Sequence, residues 1–364
     1  MTAVSRRILQ PGERIRVLVV DDSVVIRRLV AHALEEDPLI EVVGAASNGS
    51  IALERIPQLN PDVLTVDIEM PEMDGLELLR HIRRQFPHLR AIMFSTLTER
   101  GAAITLEALT LGADDYVPKV SNEGSLDLSL VRLREQLLPK IRQFFLLPQE
   151  NGRVKKPAEA ERRSAFRDAA LGLRPRAVVI GVSTGGPAAL AAILPRLPSD
   201  FSLPVLIVQH MPPLFTRLLA ERLGRICGLA VSEGTQAAPV TPGKIWIAPG
   251  DFHMKVTGRS GAERLLLDQS PPQNSCRPAA DALFTSAAEV YGGAVVAAVL
   301  TGMGQDGLSG ARVLKARGAR ILAQDEASSV VWGMPGAVTA AGLADRVLPL
   351  DQIVPEILRQ ARGE

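Results

Sequence analysis

Three polar residues in the second half of the chain each follow an apolar run. Together they are of the types that acyl transfer needs. Ser183 lies in Gly181-Val182-Ser183-Thr184-Gly185, His210 follows the run 204–208, and Asp306 follows the run 294–300. A serine hydroxyl is a weak nucleophile until a base takes its proton, and the base works best when a carboxylate fixes its ring. Gly185 and Gly186 permit a tight turn, and Pro187 suits the first turn of a helix. That helix N-terminus, with the loop Thr301 to Gly304, offers N–H groups to a developing oxyanion. The order serine, histidine, aspartate differs from the Ser…Asp/Glu…His order of α/β-hydrolases, so the G-x-S-x-G match does not imply that fold.

Other readings of these residues stay open at this point. Gly181 to Gly186 also fits a plain strand-to-helix turn, and His210 fits a structural histidine. Gly302-x-Gly304-x-x-Gly307, with Asp325 about 20 residues on, fits a dinucleotide fingerprint. Against it, the Asp306 carboxylate would sit beside a pyrophosphate and repel it. The competing function is a phosphorylation-controlled module that binds a nucleotide or phosphate without hydrolysis. No G-x-x-x-x-G-K-[ST] pattern supports that module.

A second set of residues lies in the first half. Asp21 and Asp22 follow one apolar run, Asp67 follows another, and Lys119 lies beyond a third. Carboxylates at the ends of parallel strands converge, repel one another and raise each other's pKa. A hard divalent cation relieves that repulsion; Mg²⁺ takes a few carboxylates plus water and phosphate oxygens. Lys119 adds a point charge suited to a phosphoryl group, and Ser95 ends a strand where it can donate a hydrogen bond. The alternative is helix capping and turn chemistry, by Asp22, Ser23 and Asp74-Gly75.

The elements that must position these groups alternate between strand and helix in both halves. In the first half the runs 15–20, 41–45, 63–66, 91–94 and 115–117 predict strands, and 25–34 carries one apolar helix face. The pattern fails from about 139 to 176, where Pro148, Gly152, Lys155, Lys156, Pro157, Arg162 and Arg163 point to a charged linker. The fold class is α/β, with two doubly wound, mainly parallel-sheet domains at 14–138 and 177–364. At 364 residues with 46% hydrophobic content the chain can bury two cores. A net charge of +1 and the lack of a basic patch argue against nucleic acid as a partner. The apolar stretch 294–300 is too short to span a bilayer. Two cysteines with no C-x-x-C pairing fit a reducing, cytoplasmic setting.

Two resemblances add to this reading. "VLVVDDS", "LTVDIEMPEMDG", "FST" and "DYVPK" resemble the receiver domain of bacterial response regulators. That resemblance implies that Asp67 accepts a phosphoryl group from a histidine kinase. Asp21, Asp22 and Asp67 would bind Mg²⁺, Lys119 would contact the phosphoryl oxygens, and Ser95 and Tyr116 would form a switch pair. Here Pro118 precedes Lys119, where the family usually has Lys-Pro. "IGVSTGGP", "VQHMP", "IAPGDFHM", "TGMGQDG" and "GMPGAV" resemble the CheB family of protein-glutamate methylesterases. It implies hydrolysis of glutamate methyl esters on methyl-accepting chemotaxis receptors, releasing methanol, with deamidation of receptor glutamines as a second activity. It casts Ser183 as nucleophile, His210 as base and Asp306 as orienter, with Met303, Thr184 and Gly185 at the oxyanion and substrate and no cofactor for hydrolysis. His253 is expected to be structural or at the rim. "SCRPAAD" departs from the family's usual "HRPSVD", with Cys276 in place of histidine and Ala279 in place of serine, near the expected substrate groove. The two domains together imply an esterase whose receiver covers the Ser183 cleft until Asp67 is phosphorylated.

Overall fold

The computed structural model describes residues 7–96, 98–119, 126–146 and 174–363. The chain divides into two compact units, Met1–Asn151 and Gly152–Glu364. The linker residues Pro148 to Arg163 lie outside the described residues.

The main sheet of the first unit has five parallel strands: β1 (Ile15–Val20), β2 (Ile40–Ala46), β3 (Val63–Asp67), β4 (Arg90–Ser95) and β5 (Asp115–Pro118). Their spatial order is β2-β1-β3-β4-β5. The helices are α1 (Val24–Glu35), α2 (Gly49–Leu59), α3 (Gly75–Gln85), α4 (Glu99–Leu111) and α5 (Leu126–Arg142). Strands β3 and β4 are buried along their whole length, as a sheet covered on both faces requires. Right-handed crossovers place α1 and α5 on one face and the other helices on the second. α1 packs against α5, and α2, α3 and α4 pack in sequence.

Periodicity is lost to the eye at Pro139, yet α5 continues through it to Arg142. A proline inside a helix costs one hydrogen bond and a steric clash, about 3 kcal/mol. Ile141 and Phe144, just beyond it, are fully buried. Lys140 Nζ lies 2.6 Å from Asp115 Oδ1 and Arg142 Nε donates to Asp37 Oδ2 at 2.6 Å. These contacts hold the last turn in place.

The second unit carries a seven-stranded parallel sheet. Its strands are β6 (Ala177–Val182), β7 (Val205–Gln209), β8 (Ala230–Glu233), β9 (Lys244–Ile247), β12 (Val295–Val299), β13 (Arg320–Gln324) and β14 (Arg346–Leu348). Between them β10 (His253–Thr257) and β11 (Arg264–Asp268) form a separate antiparallel hairpin. The sheet order is β8-β9-β7-β6-β12-β13-β14. After β6 the chain winds outward through β7; it returns to the other side of β6 at β12. The reversal between β6 and β12 is the topological switch point, where α/β sheets open a crevice.

The helices are α6 (Gly186–Ile193), α7 (Pro213–Ile226), α8 (Ala280–Tyr291), α9 (Leu308–Ala316), α10 (Met334–Ala340) and α11 (Leu350–Arg362). α8 is the packing centre, touching α9, the hairpin, β6, β7 and β12. Its close approach needs glycine in its neighbours. A Cβ at Gly181 would stand 2.7 Å from Ala280 Cβ, and one at Gly310 would stand 2.5 Å from Phe284 Cβ. Phe284 is itself wholly buried between them.

Phe284→Ala is therefore expected to destabilise the second unit by about 3–5 kcal/mol. Both tryptophans, Trp246 and Trp332, lie in this unit, so denaturant unfolding followed by tryptophan fluorescence reads it directly. A loss below about 1 kcal/mol would contradict the packing role.

Candidate active site

Three adjacent strands, β7, β6 and β12, end beside one another, and each delivers one expected residue. The last register pair of β6 and β7 is Val182 with Gln209, so Ser183 and His210 stand one position beyond it. The Ser183 N–H donates to Thr301 O at 3.0 Å, and the His210 N–H donates to Val182 O at 3.2 Å. These two bonds carry the ladder one step past the strands. Asp306 arrives from the loop after β12, and His210 Nε2 and Asp306 Oδ2 are 2.7 Å apart.

Asp306 is buried, and four groups bind its two oxygens. Besides His210, Oδ2 accepts from the Ala280 N–H at 2.5 Å. Oδ1 accepts from the Asp281 N–H and from Asn274 Nδ2, both at 3.1 Å. Ala280 and Asp281 open α8, whose own cap residue, Ala279, has no side-chain acceptor. Asp306 thus caps α8 from a distant part of the chain, and the N-terminal end of the helix favours its negative charge. Burial works against that charge, but His210 and the two backbone donors outweigh it and hold the carboxyl below its usual range. Asn274 Nδ2 also reaches Asp281 Oδ2 at 2.9 Å, so one amide separates two carboxylates. Burial raises the Asp281 pKa, and the Asp306 charge adds to it.

Burial disfavours the charged form of His210, yet its bond to Asp306 and its contact with Cys276 push the pKa up to about 9. Cys276 Sγ lies 3.6 Å from His210 Nδ1. The Ser183 hydroxyl makes no hydrogen bond among the described residues. The structure therefore joins His210 to Asp306 and sets Ser183 beside them, without a serine–histidine bond. Such bonds often close only when substrate is bound.

The expected oxyanion residues surround Ser183. Gly185 has φ +77° and caps α6. Thr184 O accepts from Thr301 Oγ1 at 2.9 Å, and Met303 is 43% exposed. The N–H groups of Gly185 and Met303 make no hydrogen bond among the described residues. Gly302 allows this crowding, because a Cβ there would stand 2.7 Å from Ser183 Cβ. The dinucleotide reading of the same loop loses its support, since Asp306 fills the turn and Asp325 accepts from Ser328 N and Oγ in a local turn. His253 is structural: it is fully buried, its Nδ1 accepts from Ala279 N–H and its Nε2 lies 3.2 Å from Pro271 O. Cys276 sits closer to the base than the groove position expected for it.

Three supporting residues were not singled out from the sequence. Gln209 Nε2 donates to Ser183 O at 2.9 Å and to His210 O at 3.4 Å, bracing both loops. Gln324 Oε1 accepts from Thr301 N–H at 2.8 Å. Asn274 separates Asp281 from Asp306. Both glutamines end a strand that is otherwise apolar but for Arg320 at the start of the second, in "VLIVQ" and "RILAQ". A buried amide at that position is the signal that marks them.

The acidic residues of the first unit also converge. One oxygen each from Asp21, Asp22 and Asp67 lies within 4.8 Å of the others, with Asp21 and Asp67 buried and Asp22 exposed. Lys119 Nζ stands 2.7 Å from Asp67 Oδ2 and 3.7 Å from Asp21 Oδ2. Burial and then the Asp67 charge raise the Asp21 pKa to about 6. Burial raises Asp67 as well, against the pull of Lys119. Asp21 Oδ2 is buried and accepts no hydrogen bond among the described residues. Oxygen ligands, crowded charge and an orphaned carboxylate oxygen fit a hard divalent cation such as Mg²⁺. Pro118 ends β5 opposite Ser95, and Lys119 N–H donates to Ser95 O, so the displaced proline does not misplace Lys119.

The capping alternative applies to neighbouring residues. Ser23 caps α1 and Asp74 caps α3. Gly75 is forced, because a Cβ there would meet Asp67 O at 2.2 Å. Ser95 Oγ faces away from the carboxylates, bonding Gly101 O at 3.2 Å and accepting from Thr105 Oγ1 at 2.5 Å. Tyr116 is buried under Lys140, whose Nζ is 5.2 Å from the ring centre.

Comparison with known proteins is consistent along the chain. The sequence model of the CheB methylesterase family matches residues 178–357, and that of the response regulator receiver domain matches 17–130. A protein-glutamate methylesterase/protein-glutamine glutaminase of Nocardioides sp. is 54% identical over 354 residues, 96% of each chain. One from Trichodesmium erythraeum is 48% identical, over 95% of this chain and 99% of that one. The CheB methylesterase catalytic domain of Thermotoga maritima superposes with a TM-score of 0.50 at 44% identity, covering 51% of this chain and 98% of that one.

The acidic cluster gives a direct test. A protonated Asp21 cannot ligate, so Mg²⁺ affinity falls as pH drops through about 6. Calorimetric titration of the full chain is expected to show a loss of about tenfold or more between pH 7.5 and 5. Unchanged affinity would remove Asp21 from the ligand set.

Proposed function

The chain belongs to the CheB family of protein-glutamate methylesterases/protein-glutamine glutaminases, and from that premise we propose a phosphorylation-controlled esterase acting through Ser183, His210 and Asp306. The observation that carries the reading is the convergence of these residues at one switch point, with His210 Nε2 on Asp306 Oδ2 at 2.7 Å. Substrates are γ-glutamyl methyl esters on methyl-accepting chemotaxis receptors, and selected receptor glutamines are deamidated.

Asp306 is ionised, so the proton on neutral His210 sits on Nε2, leaving the Nδ1 lone pair as the base. Ser183 Oγ attacks the ester carbonyl carbon while Nδ1 takes its proton. The oxyanion is received by the N–H groups of Met303 and Gly185, near Thr184, at the N-terminus of α6. The imidazolium then returns its proton to the leaving methoxide, which departs as methanol. Water, deprotonated by the same nitrogen, cleaves the acyl-serine to glutamate and free Ser183. A glutamine side chain follows the same course with ammonia leaving.

The receiver is the input. Asp67 takes a phosphoryl group from a histidine kinase, and Lys119 Nζ is placed to follow that group's oxygens. Asp21, Asp22 and Asp67 would hold Mg²⁺, which would supply charge neutralisation to the transferred group. Phosphorylation of Asp67 raises the esterase activity, with Ser95 and Tyr116 as the switch pair.

Methanol release from methyl-labelled receptor membranes tests both parts. Ser183→Ala is expected to lose activity by more than about a thousandfold, because such residues act as a unit. Asp67→Ala is expected to keep basal release and lose its stimulation by a small phosphodonor with Mg²⁺. Turnover retained by Ser183→Ala rules out the nucleophile, and stimulation retained by Asp67→Ala rules out the gate.

A further inference from the structure

We infer that Cys276 is a positioning residue that holds His210 Nδ1, the nitrogen Ser183 needs, and so restrains the base in this chain. The inference rests on the proposed role of His210. The Nε2 side of the ring is committed to Asp306 at 2.7 Å. Only Nδ1 remains for Ser183, and the Cys276 sulfur is 3.6 Å from it, a normal reach for a hydrogen bond to sulfur. Ser183 Oγ meanwhile makes no hydrogen bond among the described residues. On the protonated ring Nδ1–H can donate to the Cys276 sulfur, and Nδ1 then has no lone pair free to take the Ser183 proton.

The turn that carries Cys276 is built to hold it there. Asn274 and Ser275 both have positive φ, +50° and +62°. Gln273 and Cys276 exchange backbone bonds of 3.1 and 2.8 Å. Asn274 anchors the turn to Asp306 and Asp281, and Arg277 anchors its far side to Asp251. One short turn thus grips the carboxylate with its amide and the imidazole with its thiol.

The titratable groups facing the ring are Asp306 from the loop after β12 and Cys276 from this turn, with Asp281 of α8 behind Asp306. Ser183 faces it as a neutral hydroxyl. Asp306 and Cys276 both favour the protonated ring. Removing the thiol leaves Asp306 in place but takes away one stabiliser of the cation, so the ring gives up its proton at lower pH.

The test compares full-length wild type, Cys276→Ala and Cys276→Ser. The chain has five histidines, so ¹⁵N-histidine labelling resolves each ring, with His210 assigned by its loss in His210→Gln. The His210 titration midpoint is expected to fall in Cys276→Ala and to stay near wild type in Cys276→Ser, whose hydroxyl can replace the thiol at Nδ1. The acid limb of the methanol-release profile should move with it. Release at pH 7 then rises about tenfold for each unit of the shift, and the two rates converge at high pH. A midpoint unmoved in Cys276→Ala overturns the inference, whatever the rate does. A moved midpoint with no methanol release from any form, wild type included, upholds the thiol's hold on the ring and instead rejects the esterase reading.

Discussion

The second unit is organised around one buried carboxylate. Asp306 sits in a loop with no charged partner other than His210 among the described residues that bond it, and burying it costs several kcal/mol unless its lone pairs are filled. They are filled by four donors from three parts of the chain: the ring after β7, two N–H groups opening α8, and the amide of Asn274. Three different elements have to deliver them. The positions of α8, the 273–277 turn and the β7 loop are therefore fixed together. The pairing also decides the chemistry, because a carboxylate on Nε2 leaves Nδ1 as the basic nitrogen.

The first unit solves a similar problem in the opposite way. Its carboxylates are brought together at the β1/β3 switch point without enough donors, and the Asp21 pKa rises to about 6. Where the second unit neutralises its acid internally, the first leaves one oxygen of Asp21 unfilled. Unsatisfied acidity suits a site that takes up a cation and a phosphoryl group, whereas full satisfaction suits a carboxylate whose task is to hold a ring still. Both follow from the same rule, that open parallel sheets gather polar groups at the carboxyl ends of their strands.

Much of this was legible because the strands are short, apolar and buried, so the polar residues just beyond their ends are marked. That is how Ser183, His210, Asp306, Asp21, Asp67 and Lys119 stand out. The supporting residues were less visible. Gln209 and Gln324 look like ordinary strand ends, and their buried amides acquire meaning only from the loops they brace. Ala279 reads as a poor helix cap until Asp306 is seen to supply the missing acceptor from 27 residues later in the chain. The alternating pattern reads as failing from about 139, yet α5 continues to Arg142, because the burial of Ile141 and Phe144 that offsets Pro139 is not visible in the sequence.

The sequence by itself determined the class of fold, the strand ends and the types of chemical group that could meet there, since hydrophobic periodicity and residue chemistry are local properties. Only the tertiary structure decided which nitrogen of His210 faces Asp306, that Cys276 takes the other, and that Ser95 turns into α4 while Lys119 reaches Asp67. Those are matters of angstroms between residues far apart in the chain. They are set by how strands order in a sheet and how α8 docks on it, and no run of adjacent residues encodes them.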